Sequence, residues 1–346
     1  MMMPTIDKRD VRAFLILALF FSSLAALTGL LLSGRAAKAE RLAQLLQTKN
    51  CTYCELENTD LRRADLEGAN LADANLRNTS LNNVNLSSAM LSRAVLNEAT
   101  LDGATLTEAI LSDALLGGAF LNNVNGDRVN LQGAYLGDAR LRGIKLRYAN
   151  LSNANLSRVD LSRADLSHAN LRDANLGDAN LTGSNLREAD LRRIDLGDAT
   201  LRDTDLHKAN LLRGNLRRVD LRRAELAQAN LSGTNLSGAN LSETNLSGAD
   251  LYQAYLGDAD LTQANLYRAN LSGANLTRAS LSDAHLDGAN LSGANLRRTS
   301  FAGASLKKAD LTGANFNRAN LSDANLRGAT FCNTTMPDGT IANQDC

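Results

Sequence analysis

The stretch ANLSNANLSRVDLSRADLSHANL, residues 149–171, places a leucine at every fifth position and an alanine or valine two positions before each leucine. The same register runs from Leu56 to Phe331 without an insertion or deletion, which makes 56 consecutive units of the form A-(N/D)-L-x-x. On an α-helix these leucines would spiral around every face, and on a flat strand they would alternate between faces. Neither element can bury them all.

A chain that turns a corner after every five residues sends each leucine, and the alanine two before it, into one narrow interior. Four corners close a coil of 20 residues, and coils stacked at about 4.8 Å would form a quadrilateral rod of about 14 coils, roughly 65 Å long. Pro4 and Pro337 are the two prolines, and both lie outside the array, as expected if the N–H groups of the units donate between coils. The sequence therefore predicts an all-β solenoid.

The array resembles the pentapeptide-repeat family, whose units are written A-(D/N)-L-x-x. The resemblance covers about four fifths of the chain and implies a right-handed quadrilateral β-helix. The flanking stretches AERLAQLLQTKNCTYCELENTDL and FCNTTMPDGTIANQDC are similar to those of cyanobacterial members that carry an N-terminal membrane or export segment.

An uncharged apolar run from Ala13 to Gly34 is long enough to span a bilayer core of about 30 Å as a helix. We interpret it as an uncleaved transmembrane signal anchor that follows a cytoplasmic N-terminus of residues 1–12. Cleavage at the small-x-small site Ala37-Lys38-Ala39 is the alternative. Basic residues on both sides of the run leave its orientation open.

Both ends of the rod require covers, because exposed solenoid ends recruit other chains. Residues 35–54 are predicted to form a linker and a short capping helix, residues 55–331 the β-helix, and residues 332–346 the C-terminal cap. The apolar positions of the capping helix at helical spacing are Ala39, Leu42, Ala43 and Leu46. Whether two rods associate end to end as a homodimer stays open.

Two cysteines, Cys51 and Cys54, lie at the start of the array, and Cys332 and Cys346 lie at its end. A rod of this length keeps the two ends apart, so oxidised cysteines would pair as Cys51–Cys54 and Cys332–Cys346. A redox-active or metal-binding role for Cys51 and Cys54 is the alternative, but it lacks a βαβ setting and a second ligand pair. Disulfides would place the rod in an oxidising space such as the periplasm or the thylakoid lumen, with a cytoplasmic orientation as the alternative.

The charge balance argues against several function classes. The chain has 37 basic and 37 acidic residues, which disfavours a nucleic-acid partner. Residues 51–346 carry a net charge of −4, whereas a duplex of the predicted length would carry about 38 negative charges. The activity that the family resemblance brings forward, binding DNA gyrase by mimicking DNA, is therefore the alternative function and not the first choice.

Catalysis is not expected, because an interior filled by leucine and alanine leaves no pocket with convergent groups. The three histidines, His168, His207 and His285, all occupy outward positions. We predict no enzymatic activity, no cofactor and no metal site.

The residue before the central leucine is usually polar, but in one region it becomes apolar. These six residues, which we call the apolar patch, are Met90, Val95, Ile110, Leu115, Phe120 and Tyr135. Steps of 20 residues align several of them into outward ladders, which predicts a surface for a protein partner of unknown identity. The alternative is that the ladders only stabilise neighbouring coils.

Gly126 is the one central position that holds neither Leu nor Phe, and it falls among the patch residues. It predicts either a missing side chain in the core or a local kink. Together these features favour a non-catalytic, membrane-anchored rod that mediates protein–protein interactions outside the cytoplasm.

Overall fold

The computed structural model describes residues 37–346. Helix α1 spans residues 37–48, and two short strands, β1 (Thr334–Thr335) and β2 (Ile341–Ala342), pair antiparallel near the C-terminus. The predicted transmembrane segment, residues 13–34, lies outside the described residues. Within residues 37–346, no helix is both long and apolar enough to cross a membrane.

Parallel bridges join the residue before each central position to the residue 20 positions later, from Asn50↔Asn70 to Asn315↔Thr335. The predicted 20-residue coil is thereby confirmed. The ladder extends one unit beyond each predicted boundary. Cys51 takes the first central position and is buried, and Met336 takes the last and packs against the core.

Every backbone N–H of a typical unit has an acceptor. The central residue and the second residue after it donate to the next coil, the alanine donates back to the central carbonyl, and the residue before the centre donates to the preceding coil. In the unit around Leu86 these bonds are Leu86 to Thr105 (2.8 Å), Ser88 to Thr107 (2.8 Å), Ala89 to Leu86 (3.0 Å) and Asn85 to Ala64 (3.0 Å). The fifth N–H, that of Ser87, donates to the Asn85 side-chain Oδ1 at 3.1 Å.

The corners depend on a left-handed backbone conformation. From Tyr53 to Asn333, the second residue after each central position has a positive φ, as in Arg158 at 57°. None of these residues is β-branched, because a branched Cβ is unfavourable in this region of φ/ψ space. This compositional restriction is visible in the sequence, although the spacing of the leucines does not predict it.

The interior is one continuous column of leucine and alanine. Leu156 and Ala154 are at most 1% exposed, and the same holds for nearly every equivalent position along the rod. Near the C-terminal end the rings of Phe301 and Phe316 pack at a tilt, with centroids 5.5 Å apart. The predicted filled interior is therefore present throughout the shaft.

Helix α1 covers the N-terminal end, but with a different face from the predicted one. Leu45 is fully buried and Leu42 packs against the core, whereas Leu46 is 49% exposed and Ala39 and Ala43 are exposed. The N–H of Lys49 donates to the Leu45 carbonyl at 2.8 Å, so the chain leaves the helix directly above the first coil. This exit turns Leu42 and Leu45 inward and corrects the predicted face.

Gly126 does not break the register of the coils. Asn125 bridges to Thr105 and Lys145 as in other units, and the Gly126 N–H donates to the Lys145 carbonyl at 2.8 Å. A Cβ at this position would lie 3.1 Å from Leu146 Cδ2. The neighbouring side chains thus already occupy part of the space that a leucine would fill.

Candidate protein-interaction surface

The apolar patch forms two ladders on adjacent sides of the rod. Met90 bridges to Ile110, and Leu115 bridges to both Val95 and Tyr135. Met90, Ile110, Leu115 and Tyr135 are 38 to 43% exposed, while Val95 is half-buried. The coil therefore brings five of the six predicted residues together around one corner.

Phe120 lies on the next side and is half-buried. The guanidinium of Arg140, one coil later, sits 4.9 Å from the centre of its ring. An arginine in this position covers an aromatic face through a cation–π contact. Phe120 is thus at the margin of the patch.

Two glycines, Gly117 and Gly137, leave room for the side chain of Tyr135 against the surface of the rod. A Cβ on Gly137 would lie 2.6 Å from the Tyr135 hydroxyl, and one on Gly117 would lie 2.9 Å from Tyr135 Cε1. The tyrosine ring can lie along the rod only because both positions lack a side chain. The pattern of apolar residues does not predict this role for the two glycines, although their 20-residue spacing is visible in the sequence.

Acidic residues occupy the corners on both sides of the Val95–Leu115–Tyr135 ladder. Asp113 lies at the corner between Ile110 and Leu115, with its Oδ1 next to Gly133, and Glu98 lies at the other corner. Neither carboxylate forms an ion pair within the described part of the chain. The patch is therefore apolar at its centre, and its margins hold these two carboxylates together with Arg93, which lies one coil before Asp113 and pairs with Asp73.

The apolar residues of the patch deprive nearby backbone N–H groups of a hydrogen-bond acceptor. Because they lack a side-chain acceptor, the N–H groups of Ser92, Ser112 and Gly117 find no hydrogen-bond partner among residues 37–346. On the adjacent side the loss is compensated: the Asn122 N–H, which follows Phe120, donates to Asp102 Oδ1 at 2.8 Å. Replacing the usual asparagine in the patch thus removes a contact that stabilises the corner.

Elsewhere the exposed charges neutralise one another between coils. Several arginines at the left-handed corner position form paired hydrogen bonds with an aspartate at the same position one coil earlier. These pairs are Arg93–Asp73, Arg158–Asp138, Arg193–Asp173, Arg218–Asp198, Arg223–Asp203 and Arg278–Asp258. In each pair the hydrogen bonds from arginine lower the pKa of the aspartate.

An open surface recess of about 700 Å³ is lined by Asp60, Arg62, Arg63, Asn82 and Asn83. The side-chain hydrogen bonds from Arg62 lower the pKa of Asp60 to about 2. Its carboxylate is therefore ionised at neutral pH and unsuited to general acid catalysis.

His168 stacks on Tyr148, with ring centroids 4.8 Å apart and planes 2° from parallel. Its Nδ1 lies 3.5 Å from Glu188 Oε2. Within residues 37–346, no group of three or more His, Cys, Asp or Glu side chains is arranged to hold a metal ion.

The four cysteines are joined as Cys51–Cys54 and Cys332–Cys346, with Cα atoms 5.2 and 4.9 Å apart. The first pair fixes the chain between helix α1 and the first coil. The second connects the start of the C-terminal cap to the last residue.

Comparisons with known proteins address the origin of this arrangement. Overlapping or adjoining segments from residue 50 to residue 336 match the family model described as pentapeptide repeats. None of the curated proteins that were searched matches the chain.

Three solved structures illustrate the similarity. HetL, a pentapeptide repeat protein involved in heterocyst differentiation regulation from the cyanobacterium Nostoc sp. strain PCC 7120, is 36% identical over 67% of this chain and 91% of its own, with a TM-score of 0.26. Rfr23 from the cyanobacterium Cyanothece 51142 is 28% identical over 38% of this chain and 85% of its own, with a TM-score of 0.21. Full-length QnrB1, a plasmid-mediated fluoroquinolone resistance protein, is 17% identical over 61% of this chain and 90% of its own, with a TM-score of 0.24.

Proposed function

Because the chain belongs to the pentapeptide-repeat family, whose members fold as right-handed quadrilateral β-helices, we propose that it is a non-catalytic scaffold for protein–protein contacts. In this proposal the scaffold is anchored in a membrane by the apolar segment of residues 13–34. The rod then extends on the extracytoplasmic side of that membrane. The function is exerted by the outer surface of the rod, because its interior is filled with leucine and alanine.

One observation carries the proposal: the outward ladders Met90–Ile110 and Val95–Leu115–Tyr135 place adjacent exposed apolar side chains on a surface that is mostly polar. Exposed contiguous apolar surface with a polar margin is typical of protein interaction sites. The carboxylates of Glu98 and Asp113 at the corners specify the partner further. It presents an apolar surface flanked by lysine or arginine.

The missing hydrogen bonds favour a binding role over a purely structural one. Asparagine in place of Leu115 would offer the Gly117 N–H an acceptor, as it does in most units of the rod. An apolar side chain at this position gives up that bond, and a partner that buries the patch supplies a reason for retaining it.

The paired cysteines support the extracytoplasmic placement, because disulfides persist in oxidising compartments and are rare in the cytosol. Protease added to intact spheroplasts should degrade the rod and spare the cytoplasmic N-terminus and the membrane segment, residues 1–34. A rod that stays intact until the membrane is opened would contradict this orientation.

The double variant Ile110→Asp with Leu115→Asp tests the patch. We expect it to lose the partner recovered by affinity purification from solubilised membranes, with an unchanged circular dichroism spectrum, because both side chains are exposed. The matched control is Tyr252→Asp with Tyr255→Asp, which changes two tyrosines that are 46% and 55% exposed elsewhere on the rod. Retention of the partner by the first variant would contradict the proposal.

A supercoiling assay separates this scaffold from the alternative, a DNA mimic that binds gyrase. The arginine–aspartate pairs cancel much of the negative charge that a DNA mimic requires. We expect the protein to have no effect on gyrase at micromolar concentration. Inhibition or protection of gyrase at that concentration would favour the alternative.

A further inference from the structure

The C-terminal cap covers only half of the last coil. After Pro337 the chain leaves the coil path, and β2 folds back on β1. On the covered sides, the Phe316 N–H donates to the Thr335 carbonyl at 2.8 Å and the Phe331 N–H donates to Asp345 Oδ2 at 2.8 Å. The disulfide Cys332–Cys346 closes this cap.

The other two sides, centred on Leu321 and Leu326, have no coil above them. No residue from 37 to 346 accepts a hydrogen bond from the backbone N–H groups of Leu321, Asp323, Leu326 and Gly328, and the carbonyls of Ala319 and Ala324 receive none from that range. In the preceding coil the equivalent groups are paired, as in the Phe301 N–H to the Asn320 carbonyl at 2.8 Å. We call residues 319–328 the open edge.

Side-chain exposure follows the same boundary. Central leucines from Leu56 to Leu311 are at most 3% exposed, whereas Leu321 and Leu326 are only partly buried. The open edge therefore combines unpaired backbone groups with accessible core leucines, the two features that promote addition of a β-strand.

We propose that the open edge binds an extended segment of another polypeptide, which continues the coil across these two sides. The N–H and carbonyl groups of the segment that face the rod then pair with the open edge as one coil pairs with the next elsewhere in the rod. To cover Leu321 and Leu326, the segment needs an apolar residue at every fifth position and a small residue two before it. The ligand is thus a peptide that resembles the repeat. The open edge recognises it by hydrogen bonds to its backbone and by the five-residue spacing of its apolar side chains.

A second copy of the chain matches the open edge less well. The edge presents four N–H donors and two carbonyl acceptors, so two copies that meet edge to edge leave donors unmatched. Head-to-tail stacking is blocked, because helix α1 covers the N-terminal end through Leu42 and Leu45. A segment that follows the coil satisfies all six groups.

The open edge is separate from the apolar patch. Tyr135 lies about nine coils before Leu321, a distance of roughly 45 Å at the usual strand spacing. The peptide site therefore does not depend on the function proposed for the patch.

Binding of a labelled peptide to the full chain in detergent micelles tests the proposal. The probe has the sequence of residues 287–298, DGANLSGANLRR, and the control peptide carries aspartate in place of both leucines. We expect saturable binding of the probe alone, detected by fluorescence anisotropy. The variant Leu326→Lys should weaken binding at least tenfold, whereas Leu46→Lys, at the exposed apolar residue of helix α1, should not.

Amide hydrogen exchange on the unmodified chain gives a second readout that needs no variant. The peptide should slow exchange at Leu321, Asp323, Leu326 and Gly328, and leave Gly117 unchanged. Absence of saturable binding, or binding without protection of these four amides, would overturn the proposal. So would sedimentation showing that the chain dimerises through Leu326 and that the probe does not compete.

Discussion

The backbone N–H of Thr277 donates to Oδ1 of Asn275 at 3.1 Å, which holds the corner after Leu276 in place. Leu115 occupies the equivalent position on the same side of the rod eight coils earlier, and it offers Gly117 no such acceptor. Asn275 therefore stabilises its own corner, whereas Leu115 presents an apolar side chain to the exterior.

Exchanging these residues separates stability from binding. Asn275→Leu should lower the free energy of unfolding by about 1–2 kcal/mol, because Asn275 Oδ1 accepts hydrogen bonds from both the N–H and the hydroxyl of Thr277 and both are lost. Leu115→Asn should leave it nearly unchanged, because the new hydrogen bond offsets the lost contacts with Val95 and Tyr135, worth about 0.2–1 kcal/mol each. Urea denaturation measures both, and a large loss of stability in Leu115→Asn would indicate a structural role for the ladder.

Lys208, with a φ of 57°, tests the restriction on the left-handed corners. Lys208→Gly and Lys208→Val remove the same charge, but only valine places a branched Cβ in this conformation. We expect Lys208→Val to be less stable than Lys208→Gly by about 1–2 kcal/mol, measured by urea denaturation. Equal midpoints in the two variants would contradict the argument.

Gly126→Leu restores the repeat in the sequence but should destabilise the fold. Leu146 and the Lys145 carbonyl already lie 3.1 and 3.3 Å from the site of a new Cβ, so the larger side chain overpacks the coil at a cost of about 1–3 kcal/mol. Thermal denaturation checks this expectation. A higher Tm would show that the neighbours relax to admit the leucine.

Acid should destabilise the rod through its arginine–aspartate pairs. Hydrogen bonds from arginine lower the pKa values of Asp138, Asp198 and Asp258 in the folded state. Their stabilising effect is therefore complete above the unfolded-state pKa of about 3.9 and is lost as the pH falls through the lower folded-state values. We expect a constant Tm from pH 7 to about pH 5 and a decline below about pH 4.

The triple variant Asp138→Asn, Asp198→Asn and Asp258→Asn should flatten that decline, because these positions no longer bind a proton. Asp283→Asn is the control, since Asp283 forms no ion pair among the described residues. A triple variant with the same pH profile as the unmodified chain would show that the pairs do not contribute.

The repeat itself predicted most of the shaft. Four units of five residues make a coil of 20, and this length aligns Met90 with Ile110 and Leu115 with Tyr135. The face of helix α1 was not predictable in the same way. Its apolar residues allow two faces, and only the exit of the chain above the first coil selects Leu42 and Leu45.

By itself, the sequence determined that leucines at every fifth position share one interior, because a polypeptide can bury them all only by turning a corner within each unit. Only the tertiary structure decided what happens where the repetition stops. Three features depend on which atoms of the neighbouring coil are present: the room that glycines leave for Tyr135, the filled space at Gly126, and the open edge at Leu321 and Leu326. A one-dimensional pattern does not contain that information.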